Sequence, residues 1–469
     1  MTRPVTVLMS RPIEPEPVNA APVTATLAAS TRPHRQEYRG YQGQVAGDSP
    51  QVVLVQPPYL RAAGSHNDRL PLELCYLAGY LHRAGIEAPV LNADATGADC
   101  YIPWRELFAN FGHVMAAADG DSMLFSETVE RVMSCRPEVV VVAAADSVTP
   151  WVDVGNAYIS AELSRRLRRL GVYTVGVGPF YTEVPGKFID AFDAILRGGP
   201  SPSIVQLVRS RPVGAVVDGE PHDLSVLPHL KVEPAGTCRD DVVMTAFGCP
   251  FTCTFCLAAS QRYRRVPVEA VAADVAARRP GLLDLGDAVL PLWPGRVGEL
   301  AARLAPLGRA YTCEVSVTSI TPPALDALQA LGVVAVKMGV ESGDDAQLEA
   351  MGKHQTRDDT LAAAKLIKER GLRLTAYVLL GGPTAIEGTA ARTLSLCEEI
   401  NADDYVINVW GHHDLAERDF RYDGHFSAHL VDQWGLGVWM PRFFALQEAS
   451  QQGSKFALGP LISAGPDGS

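Results

Sequence analysis

The sequence predicts an α/β protein in which a doubly wound, Rossmann-like domain is followed by a partial (β/α)6 barrel. Two observations carry this prediction. Short apolar runs of strand length alternate with helical segments along two stretches of the chain, and a proline-rich segment separates the stretches. The length of 469 residues suits two domains with connecting segments. The chain therefore divides into a flexible leader (1–50), a first domain (51–210), a linker (211–240), a barrel (241–410) and a C-terminal cap or tail (411–469).

Composition excludes several classes of protein. Hydrophobic residues make up 47% and charged residues 20%, which is typical of a folded domain and rules against disorder over most of the length. The net charge of −12 argues against a protein that coats nucleic acid or anionic lipid. Nine cysteines are too few for a disulfide scaffold, and no apolar run reaches membrane-spanning length. We expect a cytoplasmic protein with neither nucleic acid nor a membrane as a partner.

The leader holds seven prolines and few aromatic residues, so it cannot bury enough apolar area to offset the entropy of ordering. The first domain begins with an apolar run, Val52 to Tyr59, that two prolines interrupt. A helix follows with leucines at positions 70, 74, 77 and 81 on one face, and Gly85 closes it. Three further strands are predicted at 138–147, 173–179 and 193–199.

Ligands of doubly wound sheets bind at the carboxyl ends of the parallel strands. The sequence places polar, glycine and proline residues at those ends, where they are candidate binding residues. They are Gln56, Pro57, Pro58, Asp94, Ser147, Thr149, Gly176, Gly178 and Pro179.

The barrel is predicted from a second alternating series. Its helices have clear end signals: Thr321 and Gly332 bound one helix, and Thr356 and Gly371 bound another. Six βα units of this size suggest a partial barrel. The predicted strands span 242–247, 282–287, 311–317, 334–341, 374–382 and 405–410.

Three cysteines, Cys249, Cys253 and Cys256, lie within eight residues directly after the first barrel strand. Thiolate ligands select zinc or iron–sulfur clusters. A closed zinc site wants a fourth ligand, and the next cysteine is the distant Cys313. Three ligands on a four-iron cluster would leave one iron open for chemistry. Structural zinc and three incidental buried cysteines are the alternatives.

This spacing resembles the CxxxCxxC loop of the radical S-adenosylmethionine (SAM) superfamily. The resemblance continues along residues 240–410 and implies a 4Fe–4S cluster on the three cysteines with SAM bound to its open iron. The lysine of Met351-Gly-Lys353 also matches relatives. The residues implied to bind SAM are Phe255, Asp287, Gly339, Glu341, Ser342, Gly381 and Gly382.

The first domain resembles the cobalamin-binding domain that precedes the barrel in one large radical SAM subclass. The shared features are Pro57-Pro58, the LAGY helix at 77–80, Ser147 with Thr149, and the glycine turn at 176–179. No Asp-x-His-x-x-Gly occurs, so the resemblance implies cobalamin without a histidine lower ligand. The turn at 198–200 departs from relatives, which leaves open a domain that kept this fold but lost the ligand.

Other polar candidates follow the last barrel strand. His412, His413 and Asp414 are candidate catalytic or substrate-contacting residues, with plain solvation as the alternative. The aromatic tail is expected to cap the barrel mouth or to pack into the core.

The resemblance implies a cobalamin-dependent radical SAM methyltransferase acting on an unactivated position of a natural-product intermediate, as in antibiotic biosynthesis. One SAM would donate its methyl group through cobalamin and a second would yield the adenosyl radical. A small-molecule substrate and a flavodoxin or ferredoxin reductant are the implied partners. The alternatives are radical rearrangement, cyclisation, epimerisation or sulfur insertion, or a non-catalytic redox sensor that binds an iron–sulfur cluster or zinc.

Overall fold

The computed structural model describes thirteen segments of the chain. They are residues 5–7, 51–58, 71–94, 123–148, 154–221, 223–224, 241–256, 258, 261–278, 281–290, 293–382, 384–411 and 436–453. The strands are β1 (Val5–Val7), β2 (Val52–Gln56), β3 (Val90–Asn92), β4 (Val139–Ala143), β5 (Tyr173–Val177), β6 (Ala194–Arg197), β7 (Ala215–Asp218), β8 (Val242–Val243), β9 (Ala246–Phe247), β10 (Arg264–Arg265), β11 (Leu282–Leu285), β12 (Ala310–Val315), β13 (Val333–Glu341), β14 (Arg373–Leu380) and β15 (Asp404–Gly411).

The α-helices of the described segments alternate with these strands. They are α1 (Leu72–Arg83), α2 (Met123–Ser134), α3 (Val154–Arg169), α4 (Pro179–Glu183), α5 (Pro185–Phe188), α6 (Ser203–Ser210), α7 (Val268–Ala277), α8 (Pro294–Leu304), α9 (Pro322–Leu331), α10 (Asp345–Ala350), α11 (Arg357–Glu369), α12 (Glu387–Ile400) and α13 (Leu436–Gly453).

The first sheet is parallel, with the strand order β3-β2-β4-β5-β6-β7. The chain leaves β2 toward β3 and then returns to the other side of β2 for β4. The topological switch point, where ligands of such sheets bind, therefore lies between β2 and β4. Both strands are fully buried, as their continuous apolar runs predict. The doubly wound fold is confirmed.

The sheet has one strand more than predicted. β7 lies inside the predicted linker and pairs in parallel with β6, so the linker prediction is wrong at residues 215–218. The burial of β7 alternates between partial and exposed because the strand lies at the edge of the sheet. Such a short edge strand carries no continuous apolar run, which is why the sequence pattern did not reveal it.

The second sheet contains the six predicted parallel strands in the order β8-β11-β12-β13-β14-β15. The partial (β/α)6 barrel is therefore confirmed. A seventh strand, β1, pairs antiparallel with the end of β15. The flexible-leader prediction is thus wrong for residues 5–7, where pairing with a distant strand supplies the order that the local sequence lacks.

Helix α13 packs against the last barrel strand. The backbone N–H of Ile407 donates to Gln447 Oε1 at 2.8 Å, and the N–H of Tyr405 donates to Ser450 Oγ at 3.3 Å. Phe443 of the same helix is fully buried. These contacts favour the core-packing alternative for this part of the tail, and they cover backbone donors that an edge strand would expose. Along the described segments, none of the helices has the length and apolarity needed to cross a membrane.

Candidate active site and crevice

The cysteine loop follows β9, and glycine makes its first turn possible. Gly248 has φ +72°, and a Cβ atom there would lie 2.6 Å from the Arg262 carbonyl oxygen. On its other side the loop is held by Thr254, whose N–H donates to the Met351 carbonyl at 2.9 Å. The close approach of Gly352 to the Thr252 carbonyl completes this contact. The loop is therefore fixed at the strand ends of the barrel.

Cys249, Cys253 and Cys256 are partly buried on this loop. Burial raises the pKa of Cys249 and of Cys253, and the nearby Lys353 ammonium opposes both shifts. Nowhere in the described segments are three His, Cys, Asp or Glu side chains arranged to hold a single metal ion. Three soft donors on one glycine-started turn nevertheless fit the three-cysteine set that an iron–sulfur cluster takes.

The end of β13 brings an ion pair to the cysteine loop. A bulge lies between Gly339 and Glu341, and Glu341 has φ +60°. Its carboxylate lies 3.0 Å from Lys353 Nζ, which in turn lies 5.9 Å from the ring centroid of Phe255. Burial alone would lower the pKa of Lys353, but Glu341 and the nearby Cys253 outweigh it and leave that pKa raised. The structure thus brings together residues of three predicted motifs.

Gly339 leaves room for this pair. A Cβ atom on Gly339 would lie 2.6 Å from Glu341 Oε1 and 2.8 Å from Lys353 Nζ. The glycine of the Gly-x-Glu-Ser-Gly sequence is therefore needed for the carboxylate and the ammonium to meet over the backbone. Gln355, which sequence reasoning missed, donates from Nε2 to the Gly339 carbonyl at 3.1 Å.

Ser342 links the fourth barrel strand to the glycine turn after the fifth. Its buried hydroxyl donates to Gln347 Oε1 at 2.5 Å and accepts the Asp344 N–H at 3.1 Å. The Gln347 amide also donates to the Gly381 carbonyl. Gln347 was not predicted from the sequence, because its helical position alone carries no motif. Gly381 and Gly382 both have positive φ, at +83° and +130°.

Asp287 joins the first two barrel strands. Its Oδ1 accepts the N–H groups of Thr245, at 2.7 Å, and Ala246, at 3.0 Å, and its Oδ2 accepts the Thr245 hydroxyl. Burial raises the pKa of Asp287 to about 6, although these hydrogen bonds oppose the shift. In this structure the Asp287 carboxylate is hydrogen-bonded to Thr245 and Ala246 of the protein itself. Its predicted contact with SAM stays a prediction.

Charged side chains also lie within three neighbouring barrel strands, β11, β12 and β13. Lys337 Nζ lies 2.8 Å from the Asp284 carboxylate, which also accepts the Thr312 hydroxyl at 2.7 Å. Burial raises the pKa of Glu314 to about 7, with Lys337 opposing the shift. Sequence reasoning missed this group. The signal was present, however, as single charged residues inside the apolar runs of β11, β12 and β13.

The crevice of the first domain lies at the switch point between β2 and β4. Gln56, Pro57 and Pro58 end β2 and are buried, and Ser147 follows β4. The turn Gly198-Gly199 approaches the same place, because a Cβ atom on Gly199 would lie 3.2 Å from Ser147 Oγ. The structure therefore brings three of the predicted strand-end segments together.

The glycine turn after β5 has a different environment. Gly178 has φ +130°, and a Cβ atom there would overlap the Ala144 carbonyl oxygen. Pro179 then begins α4. A Cβ atom on Gly176 would lie 3.1 Å from the rings of Phe192 and Tyr181. The requirement for glycine at position 176 is therefore one of core packing.

Asp146 connects the crevice to the start of α1 by hydrogen bonds. Its carboxylate accepts the N–H groups of Leu72 at 2.9 Å and Glu73 at 3.2 Å, which anchors the start of α1. Glu73 in turn accepts the Ser147 N–H at 3.2 Å through Oε2. Asp94, the predicted residue after β3, is also buried, and its N–H donates to Asn92 Oδ1 at 3.0 Å.

Two side chains of this crevice hold buried polar atoms that have no hydrogen-bond partner in the described segments. They are both amide atoms of Gln56 and Oε1 of Glu73. Buried polar groups in folded proteins are normally hydrogen-bonded. A cluster of unmatched groups at a switch point therefore points to a polar ligand.

The crevice and the barrel are in direct contact. Gln261, five residues after Cys256, donates from Nε2 to the Ser147 carbonyl at 3.0 Å. Nearby, the rings of Tyr76 and Phe247 pack edge to face with centroids 6.0 Å apart. The two candidate binding regions therefore share one interface.

Comparison with known families identifies the barrel. Residues 243–397, which include all three cysteines of the loop, match the radical SAM superfamily. This part of the chain is a radical SAM domain. The match favours an enzyme over the non-catalytic sensor, because the domain carries SAM motifs that a sensor does not need.

Similar proteins match more of the chain than the barrel alone. An uncharacterised methyltransferase of Pyrococcus horikoshii is 23% identical over 331 residues, which are 62% of this chain and 71% of the relative. The solved radical SAM methyltransferase TsrM from Kitasatospora setae, with cobalamin and a 4Fe–4S cluster bound, is 17% identical with a TM-score of 0.53, covering 77% of this chain and 72% of TsrM. The cobalamin-dependent SAM radical enzyme OxsB is 15% identical with a TM-score of 0.51, covering 74% of this chain and 52% of OxsB. At these identities the two structures show a shared fold.

The radical SAM domain brings some of its predicted residues together. Cys253, Phe255 and Glu341 meet around Lys353, whereas Asp287 and Ser342 bond to other parts of the protein. The predicted residues Thr149, His412, His413 and Asp414 lie outside the described segments.

Proposed function

We propose that this radical SAM enzyme is a cobalamin-dependent methyltransferase that acts on an unactivated position of a natural-product intermediate in the cytoplasm, as in antibiotic biosynthesis. The observation that carries the proposal is the crevice with unmatched buried polar groups in contact with the radical SAM domain through Gln261 and Ser147. Cobalamin has an amide-rich periphery that can satisfy such groups. TsrM and OxsB, whose folds are similar, support the same assignment.

The residues of the barrel suit a cluster and SAM. Cys249, Cys253 and Cys256 would hold three irons, and the pair of Glu341 and Lys353 would orient the polar end of SAM beside them. When bound, the cluster supplies the electron that cleaves SAM, and cobalamin supplies a carrier for the methyl group. The protein itself binds, orients and excludes water.

Substrate and reductant complete the proposal. We expect a small-molecule substrate in the barrel and a flavodoxin or ferredoxin as the electron donor, with no role for nucleic acid or membranes. The charged group of Asp284, Lys337 and Glu314 gives the barrel polar side chains that such a substrate can contact.

A second candidate function keeps the radical chemistry without methylation: rearrangement, cyclisation, epimerisation or sulfur insertion. The turn Gly198-Gly199-Pro200 differs in sequence from the cobalamin-binding relatives, and Gly199 lies beside Ser147 in the crevice. This difference favours the second candidate function. A changed turn at this position could accompany loss of the cobalamin ligand.

The test uses anaerobically reconstituted protein produced with hydroxocobalamin. We expect one 4Fe–4S cluster and one cobalamin per chain, and S-adenosylhomocysteine from SAM under a strong reductant without added substrate. The cob(II)alamin electron paramagnetic resonance spectrum should lack the nitrogen splitting of a histidine ligand. The Cys249→Ala, Cys253→Ala, Cys256→Ala triple variant is the matched control and should lose iron while retaining cobalamin.

Two results would redirect the assignment. A protein that holds the cluster and cleaves SAM but binds no cobalamin would favour the second candidate function. A triple variant that keeps its iron would overturn the assignment of the cluster ligands.

A further inference from the structure

We infer that Glu73 is a cobalamin-recognition residue whose unmatched carboxyl oxygen is hydrogen-bonded when the cofactor is bound. The inference rests on the proposed function and adds a residue that no sequence motif indicated. It places a carboxyl group, in addition to backbone and amide groups, among the crevice residues that recognise the ligand.

The position of Glu73 carries the inference. The residue lies in the first turn of α1, directly beside the switch point, and is fully buried. Its Oε2 is used by the protein, because it accepts the Ser147 N–H at 3.2 Å. Its Oε1 has no partner in the described segments, and the unmatched amide of Gln56 lies in the same crevice.

The chemistry of the group suits an amide-rich ligand. Burial raises the pKa of Glu73 to about 8; hydrogen bonds from the hydroxyl and the N–H of Ser147 oppose this shift, and the neighbouring Asp146 carboxylate adds to it. At neutral pH the side chain is therefore largely a neutral acid that can both donate and accept. The acetamide and propionamide groups of a corrin ring need both kinds of partner.

A purely structural role makes a different prediction. If Glu73 served only to hold Ser147, its replacement would destabilise the ligand-free protein and leave affinity unchanged wherever the variant folds. If its unmatched oxygen is also used by the ligand, replacement by an apolar side chain of similar size should weaken binding as well. The two roles are therefore separated by the affinity for the ligand and not by stability.

The experiment measures the thermal midpoint without cobalamin and the dissociation constant for hydroxocobalamin in the full chain. We expect Glu73→Leu to lower the midpoint, because the Ser147 N–H loses its acceptor, and to weaken binding about tenfold, the size of one buried hydrogen bond. Glu73→Gln should bind within about threefold of the parent protein, because its amide can still donate.

Ser164→Ala is the matched control. Ser164 is buried in the same domain, and its hydroxyl donates to the Ala191 carbonyl at 2.7 Å. This variant should have a lower midpoint with unchanged affinity. A second readout uses the parent protein: the carbonyl stretch of a protonated carboxylic acid should shift when hydroxocobalamin is added, and the shift should be absent from Glu73→Gln.

The outcomes separate the two proposals. If the parent protein does not bind hydroxocobalamin, the proposed function fails. If the parent binds but Glu73→Leu binds equally well, or if no carboxylic-acid band shifts on binding, the assignment of Glu73 is overturned and the proposed function stands. Should the leucine variant fail to fold, the infrared comparison decides alone.

Discussion

Replacing Asp287 with alanine should destabilise the barrel, because the carboxylate accepts two buried backbone N–H groups. The N–H groups of Thr245 and Ala246 would lose their acceptor, and both residues are almost completely buried. Leaving one buried donor unmatched costs about 1–3 kcal/mol, so the free energy of unfolding should fall by about 2–6 kcal/mol. Thr245→Val removes only the hydroxyl donor and should cost about 1–2 kcal/mol.

Urea denaturation of the cluster-free protein, followed by circular dichroism, measures these changes in the transition of the barrel. The double variant of Asp287 and Thr245 should be less destabilised than the sum of the single variants, because both changes remove the same hydrogen bond. SAM affinity is measured separately by equilibrium dialysis of the reconstituted protein. A variant at Asp287 that keeps its stability but no longer binds SAM would refute the reasoning and show that the carboxylate serves the ligand.

The same residue predicts a dependence of stability on pH. The pKa of Asp287 is raised from 3.8 to about 6 in the folded protein, so the folded state still holds the proton where the unfolded state has lost it. Stability should therefore fall as the pH rises from about 4 to about 6 and then level off, by about 3 kcal/mol in total. Asp287→Ala should lack this component of the slope, which denaturation midpoints across this pH range would reveal.

Two further predictions concern the barrel and its interface. Gly339→Ala should weaken SAM binding about tenfold with little loss of stability, because the new methyl group displaces the side chains of Glu341 and Lys353. Equilibrium dialysis measures the affinity, and an unchanged affinity would contradict a role of that pair in SAM binding. Gln261→Leu should cost about 1 kcal/mol and separate the unfolding of the two domains in calorimetry, because it removes the hydrogen bond to Ser147; a single unshifted transition would contradict that coupling.

Features encoded by neighbouring residues were predictable from the sequence. The continuous apolar runs indicated β2 and β4, and Thr321 and Thr356 marked the starts of two helices that the structure caps with those side chains. The cysteine spacing located the loop now assigned to the radical SAM domain. Each of these patterns is formed by residues close together in the sequence, so it can be recognised without knowledge of the fold.

Contacts between distant parts of the chain were decided by the tertiary structure alone. Glu73 meets Ser147 across 74 positions, and Gln261 meets the same residue across 114. The strand β1 exists because β15 offers it a partner, although its own sequence is surrounded by prolines. A glutamate or glutamine in a helix or loop has no local pattern that marks it as buried or bonded. The sequence by itself thus determined the two-domain architecture and the cysteine loop, whereas the crevice, its unmatched polar atoms and its contact with the barrel arise only when the chain brings remote backbone and side chains together.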